Sequence, residues 1–260
     1  MWLTQVPQPR PPRDTWDDDP IYSLLKEGFE QHHADNPEYA GIHWMTADTV
    51  EECWQLLRQS LTTAAYPALA HVPEYKAWLR KADWVPAYQR YRRNLQLIGL
   101  NDVGKRWVLK NPSHLDALDA LMTVFPDALV VQTHRDPVVC VASACSLAAS
   151  TTPGWSTVFQ GEQLGADVLD MLSTEARTFA EARQRYDAAQ FVDVAYDDLV
   201  ADPVGVVRRI HQQWELPWSP DVEAAVEAEN TASRSGPRAP KHRYSLEDYG
   251  LTETEVRAAF

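Results

Sequence analysis

The sequence predicts an α/β fold in which a parallel sheet is flanked by helices. Three observations predict it. Two short apolar runs, Trp107–Leu109 and Ala128–Val131, each lead to a cation, Lys110 and Arg135. Between them, Leu115, Leu118, Leu121, Met122 and Phe125 recur at helical spacing. Straight after the second run, Asp136-Pro137 has the form of a helix start, with an acceptor at the cap and proline in the first turn. The unit is strand, helix, strand, helix, and strands joined by a helix pair in parallel with a right-handed crossover.

Taken from the beginning, residues 1–20 read as an extended arm. The prolines of VPQPRPP exclude helix and the charges of WDDDP keep the segment wet. A helix is expected from Pro20 to about His33. Asp48 is the natural cap of another, with Glu51 in the box position and Trp54, Leu57 and Leu61 on its inner face. Residues 73–99 predict one or two helices dense in aromatics, Trp78, Trp84, Tyr88 and Tyr91. His32, His33 and His43 stand alone and read as solvated or structural.

In the central unit Ser113 is expected to cap a helix, with Asp116 three residues on, close to a capping box. Pro126-Asp127 ends that helix. Beyond Ser143 a loop of small residues precedes an amphipathic helix from Asp167 to about Ala189. Phe191–Val194 is a short strand, Asp202-Pro203 starts a helix to about Trp214, and Asp221–Glu229 is an acidic, exposed helix.

Open α/β sheets bind ligands beyond the carboxyl ends of their strands. Lys110 and Arg135 are expected there, and Ser143 lies 143 − 135 = 8 residues after Arg135, two turns into the next helix. A helix start offers free N–H groups and a positive dipole end, arginine a planar fork for phosphate oxygens, and serine one more donor. The stretch suits a phosphorylated ligand; the plain alternative is a packed βαβ unit with surface cations at its strand ends.

These residues carry a resemblance. VLKNP followed by HRDP, with a serine eight residues after the arginine, resembles the sulfotransferases that use 3′-phosphoadenylyl sulfate (PAPS). It is most similar to the bacterial group with the pattern W-x-L-K-x-P-x-H. The likeness extends through Val194-Ala195-Tyr196-Asp197-Asp198-Leu199 with Asp202-Pro203, and through His242-Arg243-Tyr244-Ser245-Leu246 and Tyr249-Gly250-Leu251. It implies a P-loop-like sulfotransferase fold in a single domain over 1–260. The arm would be 1–20, an acceptor-side helical region 21–100, and the α/β cofactor-binding core 105–255. It implies that Arg135 and Ser143 hold the cofactor's 3′-phosphate, with Tyr196, His242 and Arg243 also at the cofactor. Lys110 falls near the transferring sulfuryl group.

In the family a late basic loop folds over the 3′-phosphate, and Arg234, Arg238, Lys241 and Arg243 with His242 form a basic loop here. The family's opening strand and Gly-rich loop, roughly G-x-P-R-S/T-G-T-T, which cradles the 5′-phosphosulfate, has no counterpart in these 260 residues. The expectation is a truncated or degenerate member, close to inactive as it stands and active when extended upstream through that loop.

The expected reaction moves a sulfuryl group from PAPS to a hydroxyl or amine of a small-molecule or glycolipid acceptor. A lysine ammonium, Lys110, would stabilise charge on the leaving phosphate oxygen. A general base is needed for the acceptor's proton; His114, four residues on, is the nearest candidate, and its alternative is a helix-start packing role. Rival readings are a non-catalytic remnant that binds adenosine 3′,5′-bisphosphate, and a P-loop kinase. The kinase reading is weakened because G-x-x-x-x-G-K-[ST] does not occur in the sequence.

Composition narrows the rest. A net charge of −13 argues against a nucleic-acid partner and against attraction to anionic lipid. Three cysteines without metal-ligand spacing fit a reduced, cytoplasmic chain with no metal. No stretch has the roughly 18 apolar residues of a membrane span.

Overall fold

The computed structural model describes residues 2–37, 43–235 and 244–260. It is an α/β protein. The helices are α1 (Trp2–Gln5), α2 (Pro20–Asp35), α3 (Trp54–Arg58), α4 (Pro73–Leu79), α5 (Val85–Ile98) and α6 (Leu118–Val124). Strand β1 (Val130–His134) is followed by α7 (Pro137–Thr151) and α8 (Gly161–Arg183). Strand β2 (Phe191–Ala195) is followed by α9 (Tyr196–Ala201), α10 (Pro203–Gln213), α11 (Pro220–Ser233) and α12 (Glu253–Ala259). Among the described residues no helix is long and apolar enough to cross a membrane.

The parallel pairing is present, but its partners differ from those expected. β1 pairs with β2, in the register Val130↔Phe191 to His134↔Ala195. Trp107–Leu109 belongs to no ladder among the described residues, and Val108 is 87% exposed. An apolar run forms a strand only where another strand supplies its hydrogen bonds, and here none does. Phe191 and Val194 are buried, and Phe191 packs with Leu118, Met122 and Phe179, so α6 and α8 close on the sheet.

The arm is partly helical. Trp2 is buried to 1% and packs edge-on with Trp16 and Tyr22. The burial of such aromatics outweighs the prolines, which precede the 3-10 turn Arg13–Asp18 instead of interrupting it. Asp19 then caps α2 by accepting from the N–H groups of Ile21 and Tyr22.

Two expected caps have other roles. Asp48 accepts from the Thr46 hydroxyl at 2.7 Å in a bend, and α3 begins only at Trp54. Leu61, expected on an inner face, is exposed and lies past α3 at a positive φ of 56°. Ser113 sits inside a 3-10 turn, Pro112–His114, capped by Asn111, whose Oδ1 accepts from Ser113 N–H at 3.0 Å. The Ser113 hydroxyl accepts from Ala64 N–H at 3.3 Å instead, and the helix starts later, at Leu118. The long amphipathic helix ends at Arg183, short of Ala189.

Helices α7 and α8 share a core with the C-terminal segment through Val141, Cys145, Leu164, Val168, Leu246 and Val256. Gly165 on α8 faces the Tyr249 carbonyl so closely that a Cβ would overlap its oxygen. Gly165→Ala is therefore expected to cost about 1–3 kcal/mol, as overpacking does. A urea midpoint equal to the parent's would contradict this.

Candidate functional site

At the carboxyl end of the parallel pair, Arg135 follows β1 and Tyr196 follows β2. The register ends at His134↔Ala195, so these are the next residues on each chain. The Arg135 guanidinium carbon lies 4.2 Å from the centroid of the Tyr196 ring. The ring orients an exposed cation without neutralising it, which leaves the guanidinium N–H groups to an anion. Asp136 caps α7, its carboxylate accepting from Val138 N–H at 2.9 Å, and is itself held by Arg257 at 3.1 Å. Hydrogen bonding to Val138, then to Arg257, keeps the Asp136 carboxyl below its ordinary value. Ser143 lies half-buried on α7.

One residue further back, the strand ends are tied together. Arg183 grips Asp193 with two bonds of 2.6 Å each, and His134 Nε2 lies 2.6 Å from the same carboxylate. The Arg183 bond, followed by the His134 bond, holds the Asp193 carboxyl well below its ordinary range.

A second group gathers around the loop from Lys110. Lys110 is exposed and forms an ion pair with Glu52. Cys53 N–H donates to the Lys110 carbonyl at 2.9 Å, and its Sγ lies 3.2 Å from the same oxygen. His114 Nδ1 is 2.7 Å from the Tyr88 hydroxyl and Nε2 is 3.8 Å from Cys53 Sγ. Burial lowers the His114 imidazole to about 4, so it is neutral near pH 7. Two residues on, Asp116 shares a hydrogen bond with the buried Glu175 of α8. Both line a cavity of about 510 Å³ with Lys76, Leu79, Arg80 and Trp84.

Lys110 and His114 thus share one neighbourhood, and Arg135 and Tyr196 another. No hydrogen bond or ring contact joins the two groups among the described residues. His242, Arg243 and the rest of the basic loop from 236 to 243 lie outside the described residues. Arg234, at the start of that loop, donates to the Val200 carbonyl beside α9. Sequence reasoning missed Glu52, Cys53 and Tyr88 as neighbours of the lysine and histidine. Their separation of 26 to 61 residues from those partners leaves no local pattern. The one trace was the density of aromatics over 73–99.

The strand ends carry an arginine at a helix start, with a lysine in a separate loop, so the fold is of the α/β class with cations placed for an anionic ligand. The model of the sulfotransferase family matches residues 2–220, and the chain belongs to that family. It is 27% identical over 214 residues to omega-hydroxy-beta-dihydromenaquinone-9 sulfotransferase Stf3 of Mycobacterium bovis, and equally to that of Mycobacterium tuberculosis. Those alignments take in 76% of this chain and 54% of the relative, so the chain spans about half the length of the curated relatives it matches. Its fold is similar to the crystal structure of sulfotransferase STF1 from Mycobacterium tuberculosis H37Rv, with a TM-score of 0.88 and 56% identity, covering 100% of this chain and 68% of that one. It is also similar to sulfotransferase STF9 from Mycobacterium avium, with a TM-score of 0.83 and 26% identity, covering 100% and 67%.

Proposed function

We propose that the protein transfers a sulfuryl group from PAPS to a hydroxyl or amine of a small-molecule or lipid acceptor. The observation that carries this reading is the Arg135–Tyr196 stack at the carboxyl ends of two parallel strands, at the start of a helix. When bound, PAPS supplies the sulfuryl group and a bisphosphate leaving group. Arg135 and Ser143 bind the 3′-phosphate, and Tyr196 steadies the arginine. The family resemblance also assigns His242 and Arg243 to the cofactor.

Lys110 exchanges its ion pair with Glu52 for the charge that develops on the leaving phosphate oxygen. A flexible, exposed ammonium makes that exchange at little cost, because an exposed ion pair is worth only about 0–1 kcal/mol. His114 handles a proton at the same end. Its Nδ1 is taken up by the Tyr88 hydroxyl, so that role falls to Nε2. The helical region 21–100 forms the acceptor side, and its Leu79, Trp84 and Val85 line the cavity that Asp116 also faces. The curated relatives named for a hydroxylated menaquinone support a lipid-like hydroxyl as acceptor.

Calorimetry with adenosine 3′,5′-bisphosphate and adenosine 5′-monophosphate tests the reading. The bisphosphate is expected to bind more tightly. Arg135→Ala is expected to remove about 1.5–3 kcal/mol of that affinity, the range of a charge-assisted contact. Equal binding of both nucleotides by the variant and the parent would refute the assignment. Transfer of labelled sulfate from PAPS to a panel of phenols, alcohols and lipids then identifies the acceptor class.

A further inference from the structure

The Tyr88 side chain is 0% exposed, and among the described residues its one hydrogen-bond partner is His114 Nδ1 at 2.7 Å. Burial keeps the phenol well above its ordinary value, so it retains its hydrogen. A buried hydroxyl with one partner donates to it, because an orphaned O–H is costly. Nδ1 is then an acceptor, and the proton of the neutral imidazole sits on Nε2.

Cys53 specifies the same tautomer from the other side of the ring. Burial raises its thiol, which therefore keeps its hydrogen, and the Lys110 carbonyl lies 3.2 Å from the sulfur and takes it. The sulfur is left to present a lone pair to Nε2–H. At 3.8 Å that contact is long and the acceptor weak, so Nε2–H can turn to a stronger oxygen. Charged and titratable groups around the ring are Tyr88 and Tyr91 of α5, Cys53 before α3, and Lys110 and Asp116 of its own loop. Among the described residues, none lies opposite Nδ1 as an alternative donor.

We infer that Tyr88 is a positioning residue that fixes His114 in the Nε2–H tautomer, so that the imidazole presents a hydrogen-bond donor to ligand oxygens at the Lys110 loop, while the acceptor's proton passes to the departing phosphate oxygen of the bisphosphate and from there to water. The tautomer stands on geometry alone; the ligand contact rests on the reading of the site as a sulfuryl-transfer centre.

Long-range proton–nitrogen NMR of the 15N-histidine-labelled protein tests the tautomer without any turnover, with His114→Gln used to assign the signals. The expected spectrum has Nδ1 unprotonated and hydrogen-bonded and Nε2 protonated, with no titration between pH 5.5 and 8. In Tyr88→Phe the Nδ1 signal is expected to lose its hydrogen-bond shift and the ring to become a mixture of tautomers. An Nδ1–H ring in the parent, or a His114 spectrum unchanged in Tyr88→Phe, would overturn the inference.

A second measurement addresses the donor role in protein that turns over PAPS. Glutamine keeps an N–H at the Nε2 position and alanine does not. His114→Gln is expected to stay within about tenfold of the parent kcat, while His114→Ala loses about 10²–10³, the cost of removing one preorganised donor. Equal loss in both, with a parental pH limb near 6.5 that both lack, would make His114 the base and sink the inference. If the parent neither binds the bisphosphate nor transfers sulfate, the proposed function fails, and the NMR result still decides the tautomer.

Discussion

Lys110→Ala is expected to lower sulfuryl transfer by about 10²–10³, measured against the same protein with the lysine intact in a form that turns over. The residue lies in a loop where its carbonyl is pinned by Cys53 N–H at 2.9 Å, so the origin of the side chain is set. The ammonium is the charge on this loop proposed to meet a leaving phosphate oxygen. Its partner in the structure is the Glu52 carboxylate; the lysine side chain is exposed and the glutamate half-buried. Stability is expected to change by less than about 1 kcal/mol, since an exposed ion pair contributes little. A rate loss without a shift in melting temperature therefore separates chemistry from folding. An unchanged rate in Lys110→Ala would remove the lysine from the mechanism. A large fall in melting temperature would point instead to a structural role for the Glu52 pair.

The second large effect concerns Asp116 and Glu175. Burial raises the Asp116 carboxyl from 3.8 to about 6, with Arg80 and Lys76 pulling it the other way without overcoming burial. Burial first, and then the Asp116 charge, push Glu175 well above its ordinary value. Both groups thus bind protons more tightly in the folded state than in the unfolded chain. Their contribution to stability is complete below about pH 4, where the unfolded carboxyls are also protonated; that of Asp116 is lost as pH rises through about 6, and that of Glu175 at higher pH.

Asp116→Asn keeps a polar group against Glu175 and removes one of the two titrations. The variant is expected to be more stable than the parent at pH 8, by roughly 1–3 kcal/mol, and to differ little at pH 4. Thermal unfolding between pH 4 and 8 decides it. A parent whose stability rises across that range, or a variant less stable than the parent at pH 8, would contradict the sign of the pair.

Much of the architecture was legible because its signals are local. Asp136-Pro137 and Asp202-Pro203 start helices as written, since the cap acceptor and the proline act within one turn. Phe191–Val194 is a strand, and the aromatic stretch 73–99 divides into α4 and α5. The failures have different causes. Asp48 is a good cap in sequence but takes a local hydrogen bond from Thr46, and Ser113 is another but takes one from Ala64, 49 residues away, through the tertiary fold. Trp107–Leu109 has strand composition, yet a ladder needs a partner that composition cannot name. At the site, Arg135 and Tyr196 were each readable from a motif, and their stacking was not, because it depends on β1 meeting β2 across 61 residues, 191 − 130 = 61.

The sequence by itself determined the α/β class and the sulfotransferase family, and it singled out the lysine and arginine proposed for the chemistry, because spacing along the chain encodes caps, helical faces and motif order. The tertiary structure alone decided which strands pair, that Glu52 meets Lys110, and that His114 lies between Tyr88 and Cys53. Hydrogen-bond partners of a buried group are chosen by packing among distant segments. For a histidine that choice sets which nitrogen carries the proton, and with it the role the residue can play.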